Sequence, residues 1–246
     1  MPTNADRANK IRLGFSTGCL YKSEPSIIRR LEVIRNIGCR TVELGFVKLD
    51  GFWGEIDQVI SQPKCLDDFD YVSLHAPVAP YGFDRDSMNI FRKIAQLHLI
   101  RKLNLVVFHP DEVKGFEFFP SWANSIDLPF AFENMDNRKG SYKNLLDMQG
   151  LSCCVYRFRM VLDVNHAFSN DPTMGLARDF HRCFKGSIVQ THLSGYKNGH
   201  VPLFETKQIE IIEGVRNIKK PIIIESVLES YQLSQERNYI LEVLEK

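Results

Sequence analysis

Short apolar runs alternate along the whole chain with segments whose apolar residues recur at helical spacing. Several of the runs are hydrophobic almost without interruption, which is typical of strands that are buried on both faces of a parallel sheet. They predict eight strands, at residues 11–17, 40–46, 70–76, 103–109, 128–134, 158–164, 187–193 and 221–227.

The segments between these runs predict helices. Segment 23–38 offers Ser23 as a candidate N-cap, has an early proline and ends at Gly38, which is the usual order of helix start and stop signals. Segment 86–103 carries apolar residues at positions 90, 91, 94, 97, 99 and 100. Three further segments complete much of the set, at 171–184, 207–218 and 234–246. Two connections are shorter, aromatic and weaker as helices, at 51–61 and 115–126.

Eight strand–helix units in a chain of 246 residues predict the α/β class and a single (β/α)8 TIM barrel. We expect one domain over residues 1–246, with residues 1–10 as a disordered N-terminal extension. The alternative is a doubly wound open sheet, which usually carries a glycine-rich phosphate loop after its first strand. The sequence at that point is FSTGCLYKSEP, which is no such loop, so no nucleotide cofactor is expected.

Composition restricts the classes of partner. The 31 Lys and Arg residues nearly balance the 30 Asp and Glu residues, which argues against binding that depends on a global positive field. No run approaches about 18 apolar residues and the first ten residues are polar, so we expect neither a membrane span nor a secretory signal. The six cysteines have no CxxC pair and no framework spacing, which predicts reduced, mostly packing residues in a cytoplasmic protein.

Polar side chains gather where the predicted strands end, which is the end that carries the active site of a TIM barrel. The third to eighth strands each end in a histidine or a carboxylate, and two more histidines follow in the loops. The residues are His75, His109, Glu133, Asp163, His166, His192, His200 and Glu225. Five of the seven histidines lie here, and only His98 and His181 fall inside predicted helices.

Convergence of these side chains indicates a metal site. Taken singly, a histidine or carboxylate at a strand end is more often a hydrogen-bonded structural group or a helix cap. Glu133, Asp163 and Glu225 on one rim, however, would repel each other, and no matching set of arginines ends the strands. A mixed set of imidazole and carboxylate ligands suits Zn²⁺, Mn²⁺ or Fe²⁺ rather than Ca²⁺. The set exceeds what one tetrahedral ion needs, so we expect one or two ions.

The order of the motifs resembles the xylose isomerase-like TIM-barrel superfamily, which holds sugar isomerases and epimerases together with endonuclease IV-type enzymes. The matching motifs are LHAP (74–77), VVFHP (106–110), FEN (132–134), LDVNHAF (162–168), THL (191–193), GHVPL (199–203) and IES (224–226). The resemblance implies a first metal with a ligand from each of the last four strands. These ligands are Glu133, Asp163, His192 and Glu225.

The endonuclease IV-type members imply further ions. Their second zinc matches His75 and His109 together with Glu133. Their third zinc uses two histidines that match His166 and His200, plus an aspartate where this chain has Asn198. Asparagine is a neutral and poorer ligand, which argues against a third ion. These loop residues are therefore candidates for substrate contact or an optional further metal.

The first functional hypothesis is a metal-dependent isomerase, epimerase or related lyase acting on a small sugar, sugar phosphate or polyol. The metal would stabilise a developing enediolate while Glu133 and Glu225 move a proton on and off carbon. His166 would hold a substrate hydroxyl. Lys197 is a candidate for binding a substrate phosphate or carboxylate.

The alternative is an endonuclease IV-like zinc phosphodiesterase that cleaves DNA at abasic sites, the only case in which we expect a nucleic-acid partner. His75 and His109 favour it, whereas the near-neutral charge and short loops oppose it. The aromatic loops at 51–54 and 115–120 would stack on bases or a sugar face, or serve as lids or rim packing. A barrel that only binds a ligand is disfavoured, because unpaired buried charges are costly to keep.

Overall fold

Eight parallel strands close into a barrel in the computed structural model, which describes residues 11–46, 48–116 and 118–246. The barrel strands are β1 (Leu13–Ser16), β2 (Thr41–Gly45), β3 (Tyr71–His75), β4 (Leu105–Phe108), β5 (Phe130–Glu133), β6 (Met160–Asp163), β7 (Ile188–Leu193) and β10 (Ile222–Ile224). A separate antiparallel hairpin follows β7, formed by β8 (Gly195–Tyr196) and β9 (His200–Val201). The predicted (β/α)8 barrel is confirmed, while the prediction of disorder at residues 1–10 lies outside the described residues.

Every barrel strand lies inside one of the predicted runs, because both of its faces are buried. Side chains two positions apart on a strand point the same way. The inward positions Leu105, Val107, Ala131 and Val161 form a small apolar cluster inside the barrel. The outward positions, such as Phe108, join the main core beneath the helices. Because Ala131 and Val161 point inward, the carboxylates two residues later on β5 and β6 point inward as well.

Ten α-helices occur in the described part of the chain, and the longer ones cover the barrel. They are α1 (Ile27–Asn36), α2 (Leu49–Ser61), α3 (Arg85–Ile100), α4 (Phe118–Ser125), α5 (Leu145–Cys154), α6 (Val164–Asn170), α7 (Gly175–Phe184), α8 (Leu203–Thr206), α9 (Ile209–Glu213) and α10 (Leu233–Leu244). Short 3₁₀ helices occupy Thr17–Leu20, Pro63–Leu66, Pro110–Glu112 and Ser230–Gln232. None of the described helices is long and apolar enough to cross a membrane.

The start of α1 corrects one prediction. Gly38 follows the helix in the left-handed region, at φ +79°, as its stop signal predicts. Ser23 is not the N-cap, because the helix begins after Ser26 and the Ser23 hydroxyl donates to the carbonyls of Leu20 and Leu228 instead. The serine therefore joins the first and last strand–helix loops.

The aromatic segments form packing rather than lids. Residues 51–54 lie within α2, where Phe52 is buried and meets Phe46 edge-on at a centroid distance of 4.9 Å. Phe119 is fully buried and contacts Phe108 at 4.9 Å. The expectation of a loop at 51–54 is wrong, because these residues continue a helix that starts earlier.

All six cysteines are free thiols, and they differ in burial, with Cys65 intermediate between the two extremes. Cys19 and Cys39 are buried packing residues, as expected. Cys153, Cys154 and Cys183 are exposed, so the packing role predicted for most cysteines is wrong for these three. Two of them end α5, a helix that the apolar pattern did not predict.

Candidate metal centre

The carboxyl ends of the barrel strands enclose a cavity of about 480 Å³. Its lining includes six of the predicted site residues: His75, His109, Glu133, His166, His200 and Glu225. Asp163 and His192 lie beneath it with no exposed surface. The strand ends thus bring all eight of the clustered site residues together, although the chain separates them by up to 150 positions.

One group of four candidate ligands is built on four neighbouring strand ends. Glu133, Asp163, His192 and Glu225 each place one ligand atom within 4.8 Å of those of the others. The strands that carry or immediately precede them, β5, β6, β7 and β10, are adjacent in the barrel, and Asp163 pairs in register with His192. His192 Nδ1 lies 2.5 Å from Glu133 Oε1 and 3.5 Å from Glu225 Oε1.

The polar atoms of this group fit a bound cation. Asp163 Oδ1 accepts the backbone N–H of His166 at 2.8 Å and caps α6, whereas its buried Oδ2 has no hydrogen-bond partner. An unsatisfied buried carboxylate oxygen is costly unless a positive charge meets it. Three carboxylates and one imidazole are a donor set that Zn²⁺ or Mn²⁺ would accept.

A second group shares Glu133 with the first. Glu133 Oε2 lies 3.1 Å from Nε2 of both His75 and His109, on the neighbouring strand ends of β3 and β4. The other ring nitrogen of His75 lies 3.0 Å from the Ala76 carbonyl, which fixes the ring so that Nε2 faces the glutamate. One carboxylate between two ligand groups is the arrangement that a pair of ions would use.

The two cavity carboxylates have opposite electrostatic environments. Burial would raise the pKa of Glu133, but its contacts with His192, His109 and His75 hold that pKa well below its usual range. Burial raises the pKa of Glu225 to about 7; the attraction of His192 opposes this shift, while repulsion from Glu133 and Asp163 adds to it. Environments that push two carboxyl pKa values apart are typical of sites that move protons.

His166 and His200 form one wall of the cavity. Their rings meet edge to face at a centroid distance of 5.6 Å. His166 Nδ1 lies 2.9 Å from the Asn134 carbonyl, and His200 Nδ1 lies 2.9 Å from Ser194 Oγ. His200 Nδ1 also approaches Glu225 Oε2 at 3.8 Å, which places this histidine at the edge of the first ligand group.

Lys197 and Asn198 lie away from the cavity, at the exposed tip of the β8–β9 hairpin. Asn198 has φ +57°, in the left-handed region that asparagine tolerates better than most residues. Its identity is therefore accounted for by the turn. The structure does not bring either side chain into contact with the predicted ligands.

Several polar residues near the centre were not predicted, among them the charged residues Arg138, Lys139 and Glu43. Arg138 and Lys139, in the loop after β5, line the cavity and are paired, with Asp136 and with Asp111 respectively. Glu43 lies on β2 inside the barrel and is fully buried. The sequence does offer a signal for Glu43, which is the carboxylate in the apolar run RTVELGF. A strand of this kind is buried on both faces, so a carboxylate in it is expected to be buried.

No protein-family model and no curated protein matches the chain, whereas solved structures do. The probable 3-DHS dehydratase AsbF of petrobactin synthesis from Bacillus anthracis is 16% identical, with a TM-score of 0.66 over 96% of this chain and 99% of that one. L-ribulose 3-epimerase is 14% identical, with a TM-score of 0.65 over 96% and 95%. The IolI protein with a bound zinc atom is 13% identical, with a TM-score of 0.66 over 95% and 98%.

These likenesses cover nearly the whole of each chain at low identity, so what they establish is the fold. They confirm the TIM-barrel fold that the resemblance of the motifs implies.

Proposed function

We propose that the protein is a divalent-metal-dependent isomerase or epimerase of a small sugar, sugar phosphate or polyol. The observation that carries the proposal is the placement of Glu133 and Glu225. Both carboxylates line the cavity, whereas the other members of their ligand group, Asp163 and His192, lie beneath it. Among the similar structures, L-ribulose 3-epimerase supports the sugar-epimerase class and the zinc-bound IolI protein supports a divalent metal.

The first ion would be held by Glu133, Asp163, His192 and Glu225, and a second by His75 and His109 with Glu133. A bound divalent ion would supply positive charge against the negative charge that develops on a substrate oxygen. The chain's own residues would do the rest of the chemistry.

Proton transfer falls to the two cavity glutamates. An isomerase or epimerase removes a proton from one carbon and returns a proton to the same or a neighbouring carbon. One of Glu133 and Glu225 would accept the proton and the other would return it. His166 has its Nδ1 at the Asn134 carbonyl, which leaves Nε2 to hold a substrate hydroxyl.

The test is solvent exchange at substrate carbon. Zinc- or manganese-loaded protein is incubated in D₂O with a panel of ketoses, sugar phosphates and cyclic polyols, and NMR records deuterium entering at one carbon. We expect exchange with at least one substrate, and its loss in both Glu133→Gln and Glu225→Gln. His181→Ala, on the outer helix α7, is the matched control and should exchange like the wild type. Exchange that persists in both glutamate variants would overturn the proposal.

A zinc phosphodiesterase acting on abasic DNA is the second candidate, and the His75–His109–Glu133 group favours it. Opposing it, the cavity cations Arg138 and Lys139 already have acidic partners. Two zinc ions per chain with incision of abasic DNA would favour this candidate. His109→Ala would then abolish incision and remove one ion.

A further inference from the structure

A fully buried carboxylate lies below the candidate centre, outside the cavity. Glu43 points into the barrel from β2, and Ser73 Oγ and Gln190 Nε2 donate to its Oε2 at 2.9 and 2.7 Å. Among the described residues its only ion-pair partner is His192, whose Nε2 lies 3.3 Å from Oε1. Glu43 Oε1 has no hydrogen bond of its own. A buried anion kept without a lysine or arginine calls for an explanation.

The two nitrogens of His192 face two different environments. Nδ1 points at Glu133 and Glu225, in the ligand group, and Nε2 points at Glu43. Neutral imidazole carries its proton on one nitrogen and a lone pair on the other. His192 offers a lone pair to the ligand group only when the proton is on Nε2.

Gln190 and Glu43 favour different tautomers of His192. Its Nε2 lies 2.9 Å from His192 Nε2, so an amide N–H pointing at that nitrogen would favour a lone pair there and a proton on Nδ1. That form would block coordination through Nδ1. The Glu43 carboxylate opposes it, because both of its oxygens lie 3.3 Å from Nε2, where an anion stabilises a proton, and Oε2 is placed to accept that proton in a hydrogen bond.

The surrounding network keeps Glu43 in place. Tyr71 donates its hydroxyl proton to Gln190 Oε1 at 3.0 Å, which turns the amide nitrogen of Gln190 toward Glu43. Ser73 and Tyr71 lie two residues apart on β3 and Glu43 pairs in register with Ser73. The carboxylate is thus held from two strands, without freedom to turn away from the imidazole.

We propose that Glu43 is a positioning residue of the metal centre, which keeps the His192 proton on Nε2 and so presents Nδ1 to the metal. The inference rests on the proposed metal centre and deepens it. A carboxylate behind a metal-binding histidine fixes the ring and its tautomer and raises the basicity of the ligand nitrogen. Glu43 would not touch the substrate or the metal.

The test is metal affinity in Glu43→Gln, which keeps the shape of the side chain and removes its charge. We expect the zinc dissociation constant, measured by competition with a chelating dye, to rise by roughly 10- to 100-fold. The visible absorption of the Co²⁺-loaded protein should also change. A folded Glu43→Gln variant with the zinc affinity and Co²⁺ spectrum of the wild type would overturn the proposal.

Glu236→Gln is the matched control. It makes the same change at another fully buried glutamate, whose carboxylate accepts from the backbone of Leu203 and from Ser226. It should alter stability without altering zinc affinity. A loss of zinc affinity equal to that of Glu43→Gln would assign both effects to general destabilisation and contradict the proposal.

A second measurement avoids dependence on one variant. In the zinc-loaded wild type with ¹⁵N-labelled histidine, NMR should find His192 protonated at Nε2. Ser73→Ala, which removes a hydrogen bond to Glu43, should weaken zinc binding less than Glu43→Gln does. A proton on Nδ1 would overturn the proposal. If the wild type binds no divalent metal, the metal centre itself fails. If the wild type binds zinc and Glu43→Gln binds it with the same affinity, this inference fails and the metal centre stands.

Discussion

Glu133 is the side chain on which the candidate centre depends. One of its oxygens faces His192 and the other faces His75 and His109. Glu133 therefore belongs both to the group with Asp163, His192 and Glu225 and to the group with His75 and His109. A sequence can identify such a carboxylate, because a charged residue at the end of an apolar run predicts a position at the carboxyl end of a barrel strand, as Glu133 occupies in β5. The identity of the shared carboxylate was implied only by the resemblance to endonuclease IV-type enzymes, because the sharing depends on distances across the barrel.

Glu133→Gln is expected to abolish activity and to lower the bound metal per chain, because it removes an anion from both groups at once. Elemental analysis of protein that has been loaded and then dialysed provides the measurement. His98→Ala is the comparison, since this histidine lies in α3, far from the cavity lining. Equal metal loss in both variants would mean that the ligand assignment is wrong.

Glu43 marks the limit of prediction at this scale. The alternation along β2 places it inward, but nothing in the sequence specifies that the nitrogen opposite belongs to His192. The pairing arises because β2 and β7 face each other across a closed barrel, 149 positions apart in the chain. Lys197 and Asn198 show the converse, because they are close to His200 in sequence but do not line the cavity that His200 lines.

At the scale of elements, the strands were predictable and several helices were not. Two-sided burial makes a strand such as β10, with the sequence III, almost purely apolar. In α5 the apolar residues point in several directions, with Met148 and Leu151 buried but Leu146 78% exposed. A helix without a single apolar face gives no periodic signal. The helix α2 was predicted only weakly, because the aromatic residues at 51–54 resemble those of a binding loop.

The end of α3 predicts a pH effect on stability. His98 is buried and its Nδ1 accepts the backbone N–H of Leu103 at 3.1 Å, which requires a neutral ring. Burial, with the neighbouring Lys102 charge, lowers the pKa of His98 below its ordinary 6.5. The unfolded chain then binds more protons at mildly acid pH, so this contribution to stability is full above pH 6.5 and is lost as the pH falls through that value.

Urea unfolding of the wild type and His98→Gln at several pH values between 8 and 5 measures this contribution. The variant should be less stable at pH 8, and the difference should shrink toward pH 5. A difference that is constant over the range would contradict the assignment of a neutral His98.

The position of residue 198 at the tip of the β8–β9 hairpin predicts that Asn198→Asp gains no zinc ion. Asn198→Asp creates the aspartate that a third zinc uses in endonuclease IV-type enzymes, but the side chain is exposed at the hairpin tip. We therefore expect no additional ion in this variant, as measured by titration with zinc. A tight additional ion would mean that the tip of the hairpin, at residue 198, approaches His166 and His200 when metal is present.

At the scale of the whole molecule, the fold gathers a set of like charges that a bound cation would balance. The barrel brings Glu43, Glu133, Asp163 and Glu225 into one buried region, and histidines are the main positive or neutral partners there. A ligand that binds the folded chain and not the unfolded chain stabilises the folded state. Removal of the metal with a chelator should therefore lower the melting temperature, and zinc should restore it.

Metal content is the measurement that tests the central claim most directly. Purified protein is stripped with a chelator, reloaded with Zn²⁺ or Mn²⁺, dialysed at neutral pH and assayed by elemental analysis beside its melting curve. The metal centre predicts one or two tightly bound ions per chain, with a lower melting temperature for the stripped protein. Less than one ion per chain, together with unchanged stability of the stripped protein, would contradict it.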